Sequence, residues 1–92
     1  METDTSIMKK YLKLSHEFAI KQMIEKMVFE LEMYYSMFNN NDNYDIKSFI
    51  YDCRTIEHFD DKEYLDIVNK AINQYNAKYN GNLSIKNNEI CS

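Results

Sequence analysis

The residues best suited to chemistry are two histidines and two cysteines. His16 and His58 are the only histidines in the chain, and Cys53 and Cys91 are the only cysteines. Two histidines and two cysteines would suffice as metal ligands, but structural zinc sites need clustered pairs such as Cys-x2–4-Cys, which do not occur here. The spacing therefore favours ordinary histidines and thiols, and we predict no metal site.

Two catalytic arrangements involve His58. Cys53 paired with His58 would be a thiol nucleophile and its base, but the sequence offers no third orienting group and no oxyanion loop. His58 beside Asp60 and Asp61 would form a local proton-transfer or ion site, and a solvated loop next to a helix cap explains the same residues. Because neither arrangement has the groups that catalysis needs, we predict that the protein is not an enzyme.

Ligand-binding loops are equally poorly supported. Asn39, Asn41 and Asn43 alternate like the first ligands of an EF-hand, but the sixth position lacks glycine and the twelfth is Ile50 instead of a bidentate glutamate. The only glycine is Gly81, so no glycine-rich phosphate loop exists. We therefore expect no cofactor.

The composition favours helices. The chain has 92 residues, 45% of them hydrophobic, with no proline and one glycine, whereas β-sandwiches and barrels need many turns rich in those two residues. Residues 15–38 carry the strongest signal, because apolar side chains recur there at steps of three and four. They are Ile20, Ile24, Met27, Leu31, Tyr34 and Phe38. No apolar run is long enough to span a membrane, and the first residues do not resemble a secretory signal. With only two cysteines, this predicts a cytoplasmic protein.

Three further helices are expected around this one. The first starts near residues 3–5 and breaks or kinks near 14–16; the others cover residues 44–57 and 61–80. Asp60 and Glu63 form a plausible reciprocal cap of the last helix, and Gly81 stands where its end favours positive φ. Its expected buried positions are Leu65, Val68, Ile72, Tyr75 and Tyr79. The predicted fold is all-α: a compact bundle of about four helices with short polar loops in residues 1–81, followed by a weakly ordered tail, 82–92.

The negative charge is concentrated in one region. The net charge is −4, yet residues 42–66 alone contain eight acids and three bases, a balance of −5. Capping and helix dipoles account for some of these acids without any partner. A docking face for a basic protein is the functional interpretation, with aromatic rings supplying contact area. Its expected residues are Tyr44, Tyr51, Asp52, Glu57, Asp60, Asp61, Glu63 and Tyr64.

Two functions follow from this surface character. The first is a non-enzymatic inhibitor of the immunity or antitoxin type, a monomer or weak dimer that neutralises a basic toxin such as a nuclease. The alternative is a helical structural or adaptor subunit that self-associates or bridges partners through an apolar face. Direct nucleic-acid binding is disfavoured, because Lys9, Lys10 and Lys13 form the only local cluster of bases.

Overall fold

The computed structural model describes residues 2–53 and 59–92, with side chains from Ser15 onward. It shows a mostly helical domain with three α-helices and a small three-stranded antiparallel sheet. The helices are α1 (Glu2–Leu31), which continues into a π-helical segment (Glu32–Met37), α2 (Ile46–Cys53) and α3 (Asp61–Tyr79). The strands are β1 (Tyr44–Asp45), β2 (Ser84–Lys86) and β3 (Glu89–Cys91). None of the helices in these ranges combines the length and apolarity needed to cross a membrane.

Helix α1 is a single element. It runs without interruption through residues 14–16, so the predicted break there is wrong. Ser15 and Glu17 resemble the start of a helix, but both are exposed on a helix that carries on past them. Since the chain lacks proline, nothing in this stretch forces an end.

The π-helical segment changes the direction of side chains at the end of α1. Its wider turn places consecutive residues closer to one face than an α-helix does. As a result, Tyr35 is buried and its neighbour Tyr34 also packs against the core. The helical run then stops, and Asn39 adopts a left-handed conformation with φ of 54°. The predicted end of this helix at the asparagine-rich loop is confirmed.

The sheet corrects the all-α prediction. Its strand order is β1-β3-β2, with Tyr44 paired to Ile90 and Ile85 also paired to Ile90. Asn87 and Asn88 connect β2 to β3, and both have positive φ, as the tight turns of β-hairpins require. Thus residues 82–92, expected to form a tail, contribute two strands, and Ile90 is fully buried in the core.

The predicted second helix is shorter at its start. Tyr44 and Asp45, expected in its first turn, form β1, and the helix begins at Ile46. The Ile46 backbone N–H donates to the Asn88 carbonyl, 3.1 Å away, which ties the first turn of α2 to the hairpin. The predicted end of this helix at Glu57 lies outside the described residues.

The core forms where α1 faces α2, α3 and the sheet. Its fully buried large side chains are Phe49, Met23, Met27, Leu31, Ile67, Ile90, Val68 and Cys53. In α3 the predicted burial of Val68, Ile72 and Tyr75 is confirmed. Ala71 and Ile67, which were not among the predicted positions, are also buried. Predicted core positions that the structure exposes are Phe38, Leu65 and Tyr79, at 66%, 44% and 42%. The buried stripe of α3 is therefore rotated toward Ile67 and Ala71, which leaves Leu65 at its margin.

Helix α3 has well-defined ends. The Asp60 carboxylate accepts a hydrogen bond from the Glu63 backbone N–H at 2.8 Å. The Glu63 carboxylate in turn accepts one from the Asp60 backbone N–H, so the predicted reciprocal cap is confirmed. At the other end the left-handed residue is Asn80, with φ of 53°, and not Gly81 as predicted. Gly81 occupies a tight space, because a Cβ there would lie 3.0 Å from the Asn76 Oδ1, closer than most Cβ contacts.

Candidate partner-binding surface

The predicted contact residues separate into two groups around α2 and α3. Tyr44 lies where β1 approaches α1, because its hydroxyl is 3.2 Å from the Glu30 Oε1, and the same hydroxyl donates to the Asp52 carboxylate on α2. Asp60, Asp61, Glu63 and Tyr64 lie at the start of α3, and Tyr51 is on α2. Glu57 and His58 lie outside the described residues. The described positions therefore fall into two groups with different surroundings.

Tyr44 belongs to the core, which corrects its predicted exposure. Its ring is only 9% exposed and packs against Tyr34 and Phe49, with centroids 4.6 and 5.2 Å away. Its hydroxyl donates to the carboxylate of Asp52 and also lies 3.2 Å from the Glu30 Oε1. Burial, and then the hydrogen bond to Asp52, raise the pKa of Tyr44. This tyrosine supports the fold, whereas Asp52 itself remains exposed.

Two carboxylates at the start of α3 form hydrogen bonds that stabilise the helix and its packing. Asp60 and Glu63 cap the helix together, and the Glu63 Oε2 lies 2.7 Å from the His16 Nε2 of α1. The His16 ring lies 5.7 Å from the buried Phe59, whose other neighbour is Tyr64 in an edge-to-face contact. His16 and Glu63 thus join α1 to the start of α3, and Tyr64 is half-buried at the core margin.

Asp61 has a different environment from its neighbours. Its side chain is exposed, and within residues 15–53 and 59–92 it forms no ion pair. Asp61 and Leu65 are one helical turn apart, so they lie on the same side of α3. Both line a groove between α2 and α3 of about 260 Å³. The α2 wall consists of Ile46, Lys47 and Ile50, and Asn88 of the hairpin closes one end.

The groove combines apolar walls with a charged edge. Leu65 is 44% exposed there and Ile50 is half-buried, so both offer apolar surface to a partner. Tyr51 is 64% exposed and lies one turn beyond Lys47, on the same side of α2 as the groove rim. Sequence reasoning identified Asp61 and Tyr51 but assigned Leu65 to the core, because only the packing of α2 shows that it is partly uncovered.

A second depression lies on the other side of α3, between α3 and α1. It is about 300 Å³, is bounded by Ile20 of α1 and Ile67 of α3, and carries three carboxylates. These are Asp60, Glu63 and Asp66, with Lys62 beside them. Asp66 also pairs with Lys70 one turn later, at 3.1 Å. The first two turns of α3 therefore form an acidic ridge with a groove on either side.

The described residues offer little for catalysis. Cys53 is 1% exposed, and burial raises the pKa of its thiol to about 12, so the nucleophilic thiolate is strongly disfavoured. Among the residues with described side chains, no three histidine, cysteine or carboxylate groups come close enough to hold a metal.

No protein-family model, no curated protein and no solved structure matches this chain. Function is therefore inferred from the chemistry of these surfaces, chiefly the acidic ridge and the α2–α3 groove.

Proposed function

We propose that this protein is a non-enzymatic inhibitor of the immunity or antitoxin type that binds and neutralises a basic toxin of the nuclease class. The observation that carries this proposal is the pairing of exposed Asp61 with half-exposed Leu65 on one side of α3. A carboxylate beside an uncovered leucine supplies steering charge and apolar contact area at the same place.

The charge pattern supports a cationic partner. Residues 42–66 have a balance of −5 in a chain of net charge −4, so the remaining residues are close to neutral. Nucleases bind phosphates in positively charged clefts, and a protein that presents carboxylates can cover such a cleft. Complementary charge of this kind accelerates association, most strongly at low salt.

The proposed contact residues differ in their contributions. Leu65 and Tyr51 provide apolar and aromatic area, while Asp61 and Asp52 provide exposed charge. Aromatic side chains at the centre of an interface commonly carry a large share of its binding energy. Glu63 adds negative potential while its contact with His16 joins α3 to α1 and its bond to the Asp60 N–H caps α3.

The first experiment identifies the partner and tests its activity. The tagged protein is used to capture binding proteins from its host, and bound material is eluted with a salt gradient. We expect one basic protein in equimolar amount, released by salt, whose nuclease activity falls to background when one equivalent of this protein is added. A partner without toxic or nuclease activity would reject the toxin assignment.

A matched pair of charge reversals then locates the contact. Asp61→Lys places a cation in the groove, whereas Asp42→Lys makes the same change of net charge in the exposed loop before β1. Asp61→Lys should slow association at least about tenfold at low salt, which corresponds to about 1.4 kcal/mol. Asp42→Lys should have a much smaller effect. Equal effects of the two substitutions would mean that overall charge matters and that the groove is not the contact.

A further inference from the structure

The outer face of α1 carries two exposed aromatic rings. Phe18 and Phe29 are 61% and 58% exposed. Their positions are slightly more than three helical turns apart, so both project from the same side of α1. This side is opposite the buried Met27 and points away from the core. Together the two rings offer apolar area on one helix face that a second molecule of matching shape can cover.

The residues between the rings have a symmetric arrangement. Gln22 and Glu25 lie on the same face as Phe18 and Phe29, and both are exposed. The midpoint between positions 18 and 29 is also the midpoint between positions 22 and 25. We propose that two copies of this chain pair through this face, with their α1 helices antiparallel. Phe18 then contacts Phe29 of the second copy, and Gln22 faces Glu25, twice over by two-fold symmetry.

The charges favour this orientation. Lys21 and Glu25 are four residues apart and occupy the same flank of the face, and matching flanks meet in an antiparallel pair. Lys21 therefore lies beside Glu25 of the second copy. A parallel pair would instead place Glu25 against Glu25, which is repulsive. From Ser15 to Phe29 the helix carries two acids and two bases, so two acidic chains meet where each is locally neutral.

The size of the face predicts a weak dimer. An aromatic side chain buries about 150–250 Å², so the exposed parts of four rings supply roughly 500 Å². Specific interfaces usually bury more than about 1,000 Å², so the rings alone supply only about half of that area. The association should therefore depend on concentration. The face lies on the far side of α1 from the core, so pairing leaves the α2–α3 groove accessible, and the inference stands independently of the proposed function.

Sedimentation over a wide range of protein concentrations tests the pairing. The unaltered protein should shift from monomer to dimer as its concentration rises, and Phe29→Glu should abolish that shift. Phe38→Glu is the matched control, because Phe38 is 66% exposed but lies beyond the π-helical segment. A protein that stays monomeric throughout, or equal effects of the two substitutions, would overturn the proposal. So would a monomer whose Phe29→Glu variant loses binding to the basic partner, because a different molecule would then cover the face.

Charge exchange provides a test that does not depend on the rings. Lys21→Glu alone and Glu25→Lys alone should each weaken dimerisation, because each places like charges together. The double substitution restores opposite charges between the copies and should recover the original affinity. If the double variant is as weak as the single ones, the assigned contact between Lys21 and Glu25 is wrong.

A spin label distinguishes the two orientations. Ser15→Cys, combined with Cys91→Ser, gives one accessible thiol, since Cys53 is buried. With the proposed midpoint, the two labels in a dimer are roughly 25 Å apart along the helices, whereas a parallel pair brings them side by side. A distance below about 12 Å, close to one helix diameter, would reject the antiparallel arrangement.

Discussion

The orientation of α1 can be tested by truncating two of its side chains that point in opposite directions. Leu31 is 0% exposed and Phe29 is 58% exposed, although only one residue lies between them. Leu31→Ala removes three buried carbon atoms and leaves a cavity at the end of α1. Large-to-small changes of this kind cost about 2–5 kcal/mol of unfolding free energy.

Phe29→Ala should have a much smaller effect. Most of its ring is already in water, so little apolar area is lost, and alanine gains about 0.5 kcal/mol of helix propensity over phenylalanine. We expect a change below about 1 kcal/mol in either direction. The difference between the two variants should therefore exceed about 1 kcal/mol, even though phenylalanine is the larger side chain.

Urea titration followed by far-UV circular dichroism measures both values. The protein should be dilute enough to be monomeric, so that loss of dimerisation by Phe29→Ala does not contribute. Because small domains have only about 5–15 kcal/mol of stability in total, the Leu31→Ala loss will shift the midpoint clearly. If Phe29→Ala costs as much as Leu31→Ala, the outer face of α1 is not the one described here, and the proposed dimer contact falls with it.

Two further predictions concern pH and a close contact. Burial raises the pKa of Cys53 from 9.0 to about 12 and that of Tyr35 from 10.0 to about 12. The unfolded chain loses these protons first, so stability is complete below about pH 9 and falls up to pH 12, by at most about 1.4 kcal/mol per pH unit for each group. Urea titrations across this range should show the decline, and Cys53→Ala should make it shallower; equal slopes would contradict the assignment. Gly81→Ala should lower the free energy of unfolding, measured by heating, by about 1–3 kcal/mol. The added Cβ would press on Asn76, whose side-chain amide is held by two hydrogen bonds to the Leu83 backbone. Exposed Asn82→Ala is the control, and an unchanged melting temperature for Gly81→Ala would refute the contact.

Local patterns in the sequence predict the helices and some of their ends. The periodicity of residues 15–38 identifies the buried face of α1, and the Asp60–Glu63 cap marks the start of α3. Both signals involve residues only a few positions apart, so they do not depend on the rest of the fold. The same dependence on short range explains the wrong break at 14–16, where Ser15 and Glu17 resemble a helix start inside a continuous helix.

The sheet could not be predicted in this way. Strand β1 has two residues and β2 and β3 have three each, too few to show an alternating pattern. Tyr44 and Asp45 precede an apolar stripe of helical period and were assigned to that helix. Their strand conformation depends on β3, which is far away in sequence. Asn87-Asn88 is the one local signal for the hairpin, since asparagine tolerates positive φ.

The exposure of the predicted contact residues also depends on the packing of distant parts of the chain. Tyr44 and Tyr51 both fall off the apolar stripe of α2, yet one is 9% exposed and the other 64%. The difference arises because the Tyr44 ring packs against two other rings. One is Tyr34 in the π-helical segment, and the other is Phe49 in α2. Leu65 is uncovered because the buried stripe of α3 is centred nearer Ile67.

The position of β3 in the sheet has a consequence for how the chain folds during synthesis. β3 is the central strand, yet it is made after both of its neighbours, so neither β1 nor β2 can find its partner until residues 89–91 have emerged. Until then the β1 backbone and the first turn of α2, which bonds to Asn88, lack their partners. Closing such a distant contact is entropically slow compared with forming helices. We therefore expect the helices of the nascent chain to form first. The backbone around Tyr44 should become resistant to proteases only after β3 has been made and has paired with β1.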